Sequence, residues 1–180
     1  MNPRSVGQNY IQTLNDFFKN PESVRNYALR QKYYTCEEAK KFSLDPGSYA
    51  GIRTKSLYTF NRPLFDNLCQ KIVLSIFDLS SYQSVNWVMN IYFHLQNSKD
   101  YVENTIHTDP VLYAGLVYLA PDIEEKYGTS LYDENHNLAK QIPNIYNSLV
   151  AYDASTLHGP SGFVDNRLTL TFFINKLEII

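Results

Sequence analysis

The chain has 180 residues, 16 basic and 18 acidic side chains, a formal net charge of -2, and 44% apolar and 14% aromatic content. This excludes a disordered polyelectrolyte and a generally basic nucleic-acid surface, and it supplies enough apolar material for one core. No stretch approaches 18 apolar residues, the opening MNPRSVGQNY lacks the apolar run of a secretory leader, and Cys36 and Cys69 are too few for a disulfide scaffold. The expectation is one domain over residues 1–180 with reduced thiols, cytoplasmic, with no membrane partner and an unreadable oligomeric state.

The apolar spacing in QNYIQTLNDFF, residues 8–18, is mixed and fits a short strand or a short helix. Asn20-Pro21-Glu22 then reads as a helix start: Asn caps, Pro suits the first turn, and Glu favours the positive end of the helix dipole. ESVRNYALRQKYY follows as about three helical turns. Residues 43–56, with Asp45-Pro46-Gly47 and Gly51, read as turn and loop. From Pro63, Leu64, Leu68, Ile72, Val73, Ile76 and Phe77 recur at threes and fours, which predicts an amphipathic helix lying on a sheet.

Strand patterns dominate beyond residue 84. SVNWVMNIYFHL, the short NTIHTD, VLYAGLVYLA, GTSLYDE, NSLVAYD, STLHG and RLTLTFFINKLEII are the candidates, and residues 136–147 read as a polar, irregular link. Helices before a run of seven or more short strands predict a mainly β fold. Its N-terminal helical and loop support covers about residues 1–80, and its β core covers 84–178.

His107-Thr108-Asp109 places imidazole and carboxylate two residues apart, on one face if the segment is extended. His158, before Gly159-Pro160, is the best third ligand, because His94 lies within a strand and His136 in a polar loop. Two histidines and one carboxylate leave positions open on a divalent ion, the facial arrangement of non-haem Fe(II) oxygenases. Zinc and manganese accept the same donors, and a carboxylate–imidazole hydrogen bond without metal explains the pair equally well.

Arg167 stands nine residues after His158. Alternation puts Arg167, Thr169, Thr171 and Phe173 on one face and Leu168, Leu170, Phe172 and Ile174 on the other. A guanidinium opening the semi-polar face suits a carboxylate-bearing cosubstrate. An ordinary strand-edge arginine beside Asp165 fits the pattern as well.

The order HTD at 107–109, LHG at 157–159 and RLTLTFF at 167–173 resembles the Fe(II)- and 2-oxoglutarate-dependent dioxygenase superfamily, in its prolyl-hydroxylase-like branch. More narrowly, FFKNPESVRNYA, DPGSYAGIRT, AGLVYLAPD, YGTSLYDE and NSLVAYDASTLHG are similar to blocks of an uncharacterised bacterial and phage family, domain-of-unknown-function family 6445. The likeness spans roughly residues 15–175. It implies a distorted double-stranded β-helix, or jelly roll, with helices packed on the major sheet. It further implies Fe(II) on His107, Asp109 and His158, and 2-oxoglutarate with its distal carboxylate on Arg167. Thr169 and a tyrosine, Tyr92 or Tyr118, would stand beside that carboxylate. Gly128-Thr129 matches, with one glycine where two are usual, the turn into the fourth core strand. O2 would be the second cosubstrate, and hydroxylation of a C–H bond the usual outcome.

The substrate is not named by the loops at 43–60, 96–105 and 133–146, which suit a small molecule, an amino acid or a peptide side chain. Arg53 and Lys55 could meet an anion there, although such charges are more often solvated. Three rivals remain at this level: a cupin-like metal enzyme without 2-oxoglutarate, a non-catalytic binding or structural protein on the same scaffold, and a metal-free β-sandwich.

Overall fold

A computed structural model describes residues 10–44, 48–80, 83–101 and 105–179. Two antiparallel sheets face each other. The strands are β1 Ile11–Leu14, β2 Tyr34–Thr35, β3 Ile52–Arg53, β4 Val85–Gln96, β5 Tyr113–Tyr118, β6 Thr129–Tyr132, β7 Leu138–Ile142, β8 Leu149–Asp153, β9 Leu157–Pro160 and β10 Arg167–Ile179. The major sheet runs β1-β8-β5-β10-β4-β3-β2, and the minor sheet runs β7-β6-β9. The helices are α1 Pro21–Leu29, α2 Cys36–Lys41, α3 Leu57–Phe60 and α4 Arg62–Ile76. This is the mainly β architecture with N-terminal helices expected of a double-stranded β-helix. Among the described residues no helix is long and apolar enough to cross a membrane.

Strand β10 organises both layers. It lies between β4 and β5 in the major sheet. Its outward residues Leu168, Leu170, Phe172 and Ile174 join Leu68, Ile72, Val73 and Ile76 of α4 in one buried cluster. Its inward residues face the second cluster, where Leu116, Tyr118, Val150 and Tyr152 of the major sheet meet Leu131 and Ile142 of the minor sheet. The alternation read from RLTLTFFI is thus realised on both faces. The cap of α1 is also as read, with the Asn20 side chain accepting from the Ser23 amide. Helix α4 begins one residue before the predicted Pro63.

Residues 11–14 take the strand alternative left open for that segment, paired with β8. Several expectations are corrected. Helix α1 has nine residues, shorter than three turns. The stretch read as loop at 43–56 contains β3, which pairs with Leu95 and His94 of β4. Gly51 makes this docking possible: its φ is 84°, and a Cβ there would lie 2.5 Å from the Leu95 carbonyl oxygen. The Asp45-Pro46-Gly47 turn lies outside the described residues, as does 102–104 of the 96–105 loop. The polar link at 136–147 contains β7, hairpinned to β6 through a turn in which the Asp133 carboxylate accepts from the Asn135 and Asn137 amides. Strand β7 reads as polar because it edges the minor sheet and exposes four of its five residues. Of NTIHTD, the described residues 105–109 form no regular strand; among them His107 makes a β-bridge, to His158.

The helix–sheet layer yields a contrast on one helix. Ile72 is fully buried and Leu74 is 59% exposed. Ile72→Ala should lower the unfolding free energy by about 2–5 kcal/mol. Leu74→Ala should change it by no more than about 0.5 kcal/mol. Urea denaturation of the two variants measures both.

Candidate metal centre

The site is closed by backbone before any side chain acts. His107 and His158 exchange both main-chain hydrogen bonds, at 3.0 and 2.9 Å, and the Asp109 amide donates to the Ala154 carbonyl at 3.0 Å. These bonds bring the 107–109 segment against the start of β9. The expected same-face geometry therefore arises from a single bridge and one further bond, without a strand.

The three side chains converge. His158 Nε2 lies 3.3 Å from one Asp109 carboxylate oxygen, and His107 Nε2 lies 3.9 Å from the other. One ligand-type atom from each residue falls within 4.8 Å of the others. Donors about 2.1 Å from a common ion and roughly a right angle to a tetrahedral angle apart are separated by about 3.0–3.4 Å. Small side-chain adjustments therefore suffice for one ion.

The tautomers also fit. His107 Nδ1 lies 2.7 Å from the Thr105 carbonyl oxygen, and His158 Nδ1 lies 2.9 Å from that of Thr156. A carbonyl can only accept, so each Nδ1 carries its proton. In a neutral imidazole that leaves the Nε2 lone pair facing Asp109. His158 and Asp109 are largely enclosed, while the His107 side chain is 53% exposed and marks the open side. The Tyr152 ring packs on His158 with centroids 4.6 Å apart. Burial, and then the Asp109 charge, push its phenol far above the ordinary range, so it stays neutral.

Burial acts to raise the Asp109 carboxyl. When the imidazoles carry a second proton on Nε2, the His158 hydrogen bond and the charges of His158, His107 and Arg53 outweigh burial and hold the group below its ordinary value.

Arg167 is 4% exposed, on a central strand. The strand-edge alternative is set aside, since Asp165 accepts instead from the Ser98 amide and hydroxyl. The Arg167 Nε donates to the Tyr127 carbonyl at 3.0 Å, Nη1 to Gln96 Oε1 at 2.6 Å, and Nη2 to the Gly128 carbonyl at 3.1 Å. Gly128 is needed where this segment lies against the end of β7, because a Cβ there would lie 1.9 Å from the Ile142 carbonyl oxygen. All three acceptors are neutral, and Arg167 makes no ion pair among the described residues. Burial lowers its pKa, and the adjoining Tyr118 partly offsets this. A buried cation held by neutral dipoles keeps a charge that none of those dipoles cancels.

The remaining expected residues divide. Thr169 pairs across to Tyr118 and to His94, and its hydroxyl donates to the His94 carbonyl at 3.5 Å. Tyr118 lies beside Arg167, with Cζ 5.5 Å from its ring centroid, and shares a 2.8 Å hydrogen bond with Thr129. Of the two tyrosines, Tyr118 is the one at the arginine. Tyr92 lies two registers further along and packs against Phe173 and Arg53. Gln96, Tyr152 and the carbonyls of Tyr127 and Gly128 were not singled out from sequence. Alternation marks Tyr152 as inward-facing, but only topology puts it at His158.

No family model matches the sequence, and no curated protein does. Solved structures match along most of the chain. One is a prolyl hydroxylase from Trichoplax adhaerens, solved with a hypoxia inducible factor oxygen degradation domain peptide fragment. It is 11% identical over 92% of this chain and 83% of that one, with a TM-score of 0.55. Another is SnoN, a non-haem alpha-ketoglutarate-dependent epimerase from nogalamycin biosynthesis. It is 12% identical over 93% and 78% of the two chains, with a TM-score of 0.56. At such identities the likeness establishes the fold. This chain shares the fold of these two proteins and brings two histidines and an aspartate together within it.

The ion-pair geometry predicts a titration. In metal-free protein the Asp109 carboxyl should titrate below the unfolded value of about 3.9, and His158→Ala should raise it. A depressed carboxyl stabilises the fold above its unfolded value, and that contribution is lost as pH falls through the folded one. Carbon-13 NMR of the side-chain carboxyl reads the midpoint directly.

Proposed function

We propose that the protein is an Fe(II)- and 2-oxoglutarate-dependent oxygenase that hydroxylates a C–H bond of a small molecule, an amino acid or a peptide side chain. The observation that carries this reading is the pairing of a two-histidine, one-aspartate cluster with a buried arginine whose hydrogen-bond acceptors among the described residues are all neutral, within one double-stranded β-helix. A cupin-like metal enzyme would use the cluster and leave the arginine unexplained. The narrower likeness to domain-of-unknown-function family 6445 rests on the sequence blocks alone.

Iron held by these residues would supply O2 activation, with 2-oxoglutarate as the two-electron reductant. The chain's own work is placement. His107, Asp109 and His158 occupy one face of the ion and leave the rest for ligands. The carbonyls of Thr105 and Thr156 fix the two imidazoles. Arg167 receives the distal carboxylate of the cosubstrate, with Thr169 and Tyr118 beside it. Tyr152, Leu116 and Val150 wall the interior with neutral surface, which excludes water and strengthens the charge pairing.

Anaerobic addition of Fe(II) and then 2-oxoglutarate should produce a visible charge-transfer band. Asp109→Asn should weaken Fe(II) binding by at least about 100-fold, beyond the 10–100-fold typical of outer-sphere groups. Arg167→Lys, which keeps the charge and loses the fork, should leave Fe(II) affinity intact and weaken 2-oxoglutarate by about tenfold or more. A folded wild type that binds Fe(II) but develops no band and forms no succinate would refute the reading.

A further inference from the structure

Two further residues stand beside the cluster and Arg167. The first is Arg53. Gly51 brings β3 onto the edge of β4, and Arg53 lies in register with His94, beside the inward face of the major sheet. Its guanidinium carbon is 4.3 Å from the Tyr49 ring centroid, 5.4 Å from Phe173 and 5.7 Å from Tyr92. Its charge also acts on the Asp109 carboxyl and on the Tyr152 phenol. The second feature is Thr171, 7% exposed, whose buried hydroxyl has no hydrogen-bond partner. Thr171 pairs directly with Tyr92 and stands two residues from Phe173, so the two rings beneath Arg53 flank it. A buried unmade hydroxyl bond is costly unless a ligand completes it.

We propose that Arg53 and Thr171 form a subsite for the carboxylate of the primary substrate, which is a small organic acid other than 2-oxoglutarate. The proposal rests on the oxygenase reading above and names its substrate class. Thr171 is four residues from Arg167 on β10, about 13 Å along an extended strand. A five-carbon diacid, roughly 6–7 Å between its carboxylates at ordinary bond lengths, cannot span the two. Between the two arginines stands His94, whose Nε2 donates to the Ala50 carbonyl at 2.6 Å. Burial, then the charge of Arg53 and a smaller one from Arg167, hold it neutral against that bond. The interior therefore has two separate cationic ends with a neutral spacer. One guanidinium and one hydroxyl match the single charge and two oxygens of a carboxylate. The rings of Tyr92 and Phe173 suit an apolar body behind that group. Held so, the acid lies beside Asp109 and directs its carbon skeleton toward the open side of the cluster.

Benzoate is a probe with this chemistry, benzamide its neutral counterpart, and phenyl phosphate its dianionic one. Each is titrated calorimetrically, without O2, into full-length protein holding Mn(II) and saturating 2-oxoglutarate. The expected result is that benzoate binds at least about tenfold more tightly than either competitor. Arg53→Gln should weaken benzoate by at least about tenfold and Arg53→Lys by less, while Thr171→Val should weaken it a few-fold. The affinities for Mn(II) and 2-oxoglutarate should stay within about twofold in all three. Four results overturn the proposal: no benzoate binding to wild type, equal binding of benzamide, tighter binding of phenyl phosphate, or unchanged benzoate binding in Arg53→Gln. A rise in Mn(II) affinity in that last case would assign Arg53 to charge balance on Asp109. If wild type takes up neither Mn(II) nor 2-oxoglutarate, the oxygenase reading fails, and the same titration on the protein alone still decides the carboxylate subsite.

Discussion

The double-sided burial of β10 is the constraint on which both the fold and the site depend. A strand flanked by β4 and β5 and covered on both faces must satisfy two environments with alternate residues. Leu168, Leu170, Phe172 and Ile174 meet the helical layer. Arg167, Thr169 and Thr171 carry polarity into the space between the sheets, where each polar group needs a partner. The Arg167 partners come from a residue at the end of β4 and from the two carbonyls just before β6. The arginine therefore ties the major sheet to the entry of the minor one. A one-residue slip of β10 would expel the charge and bury it among leucines, so the charge helps to fix register.

The metal cluster depends on the same two-layer geometry by a different route. His158 comes from β9 in the minor sheet, and His107 and Asp109 arrive in the segment between β4 and β5. They meet only because the sheets fold over each other. Coordination would replace a proton or a cationic neighbour of Asp109 with an ion, so the depressed carboxyl and the protonated Nδ1 atoms describe a site already set for cation binding.

Much of this was legible in the sequence, for identifiable reasons. Helix α4 and strand β10 each cover a continuous surface, so their periods are unbroken and readable. The Asn20 cap is a local event and reads locally. His107, Asp109, His158 and Arg167 stand out by residue type and order. What was not legible depends on contacts between distant segments. Strand β7 is polar because it lies at an edge, and β3 is two residues long, so neither carries a pattern of its own. Arg53 in GIRT looks like a solvated loop charge until pairing with His94 turns it inward. The choice between Tyr118 and Tyr92 needed the register of β4 and β5 against β10. The strand expected at NTIHTD failed because one bridge to His158 suffices to hold the segment.

The histidine supports are main-chain carbonyls two residues upstream, at Thr105 and Thr156. An acceptor made of backbone persists whatever side chain stands at 105 or 156. The orientation of both imidazoles is thus written into the path of the chain and is insulated from point substitution at the supporting positions. Sites braced by carboxylate or amide side chains have no such protection. A centre built in this way tolerates wide sequence drift around it while its geometry stays the same. That tolerance suits a fold shared with other proteins at only 11–12% identity.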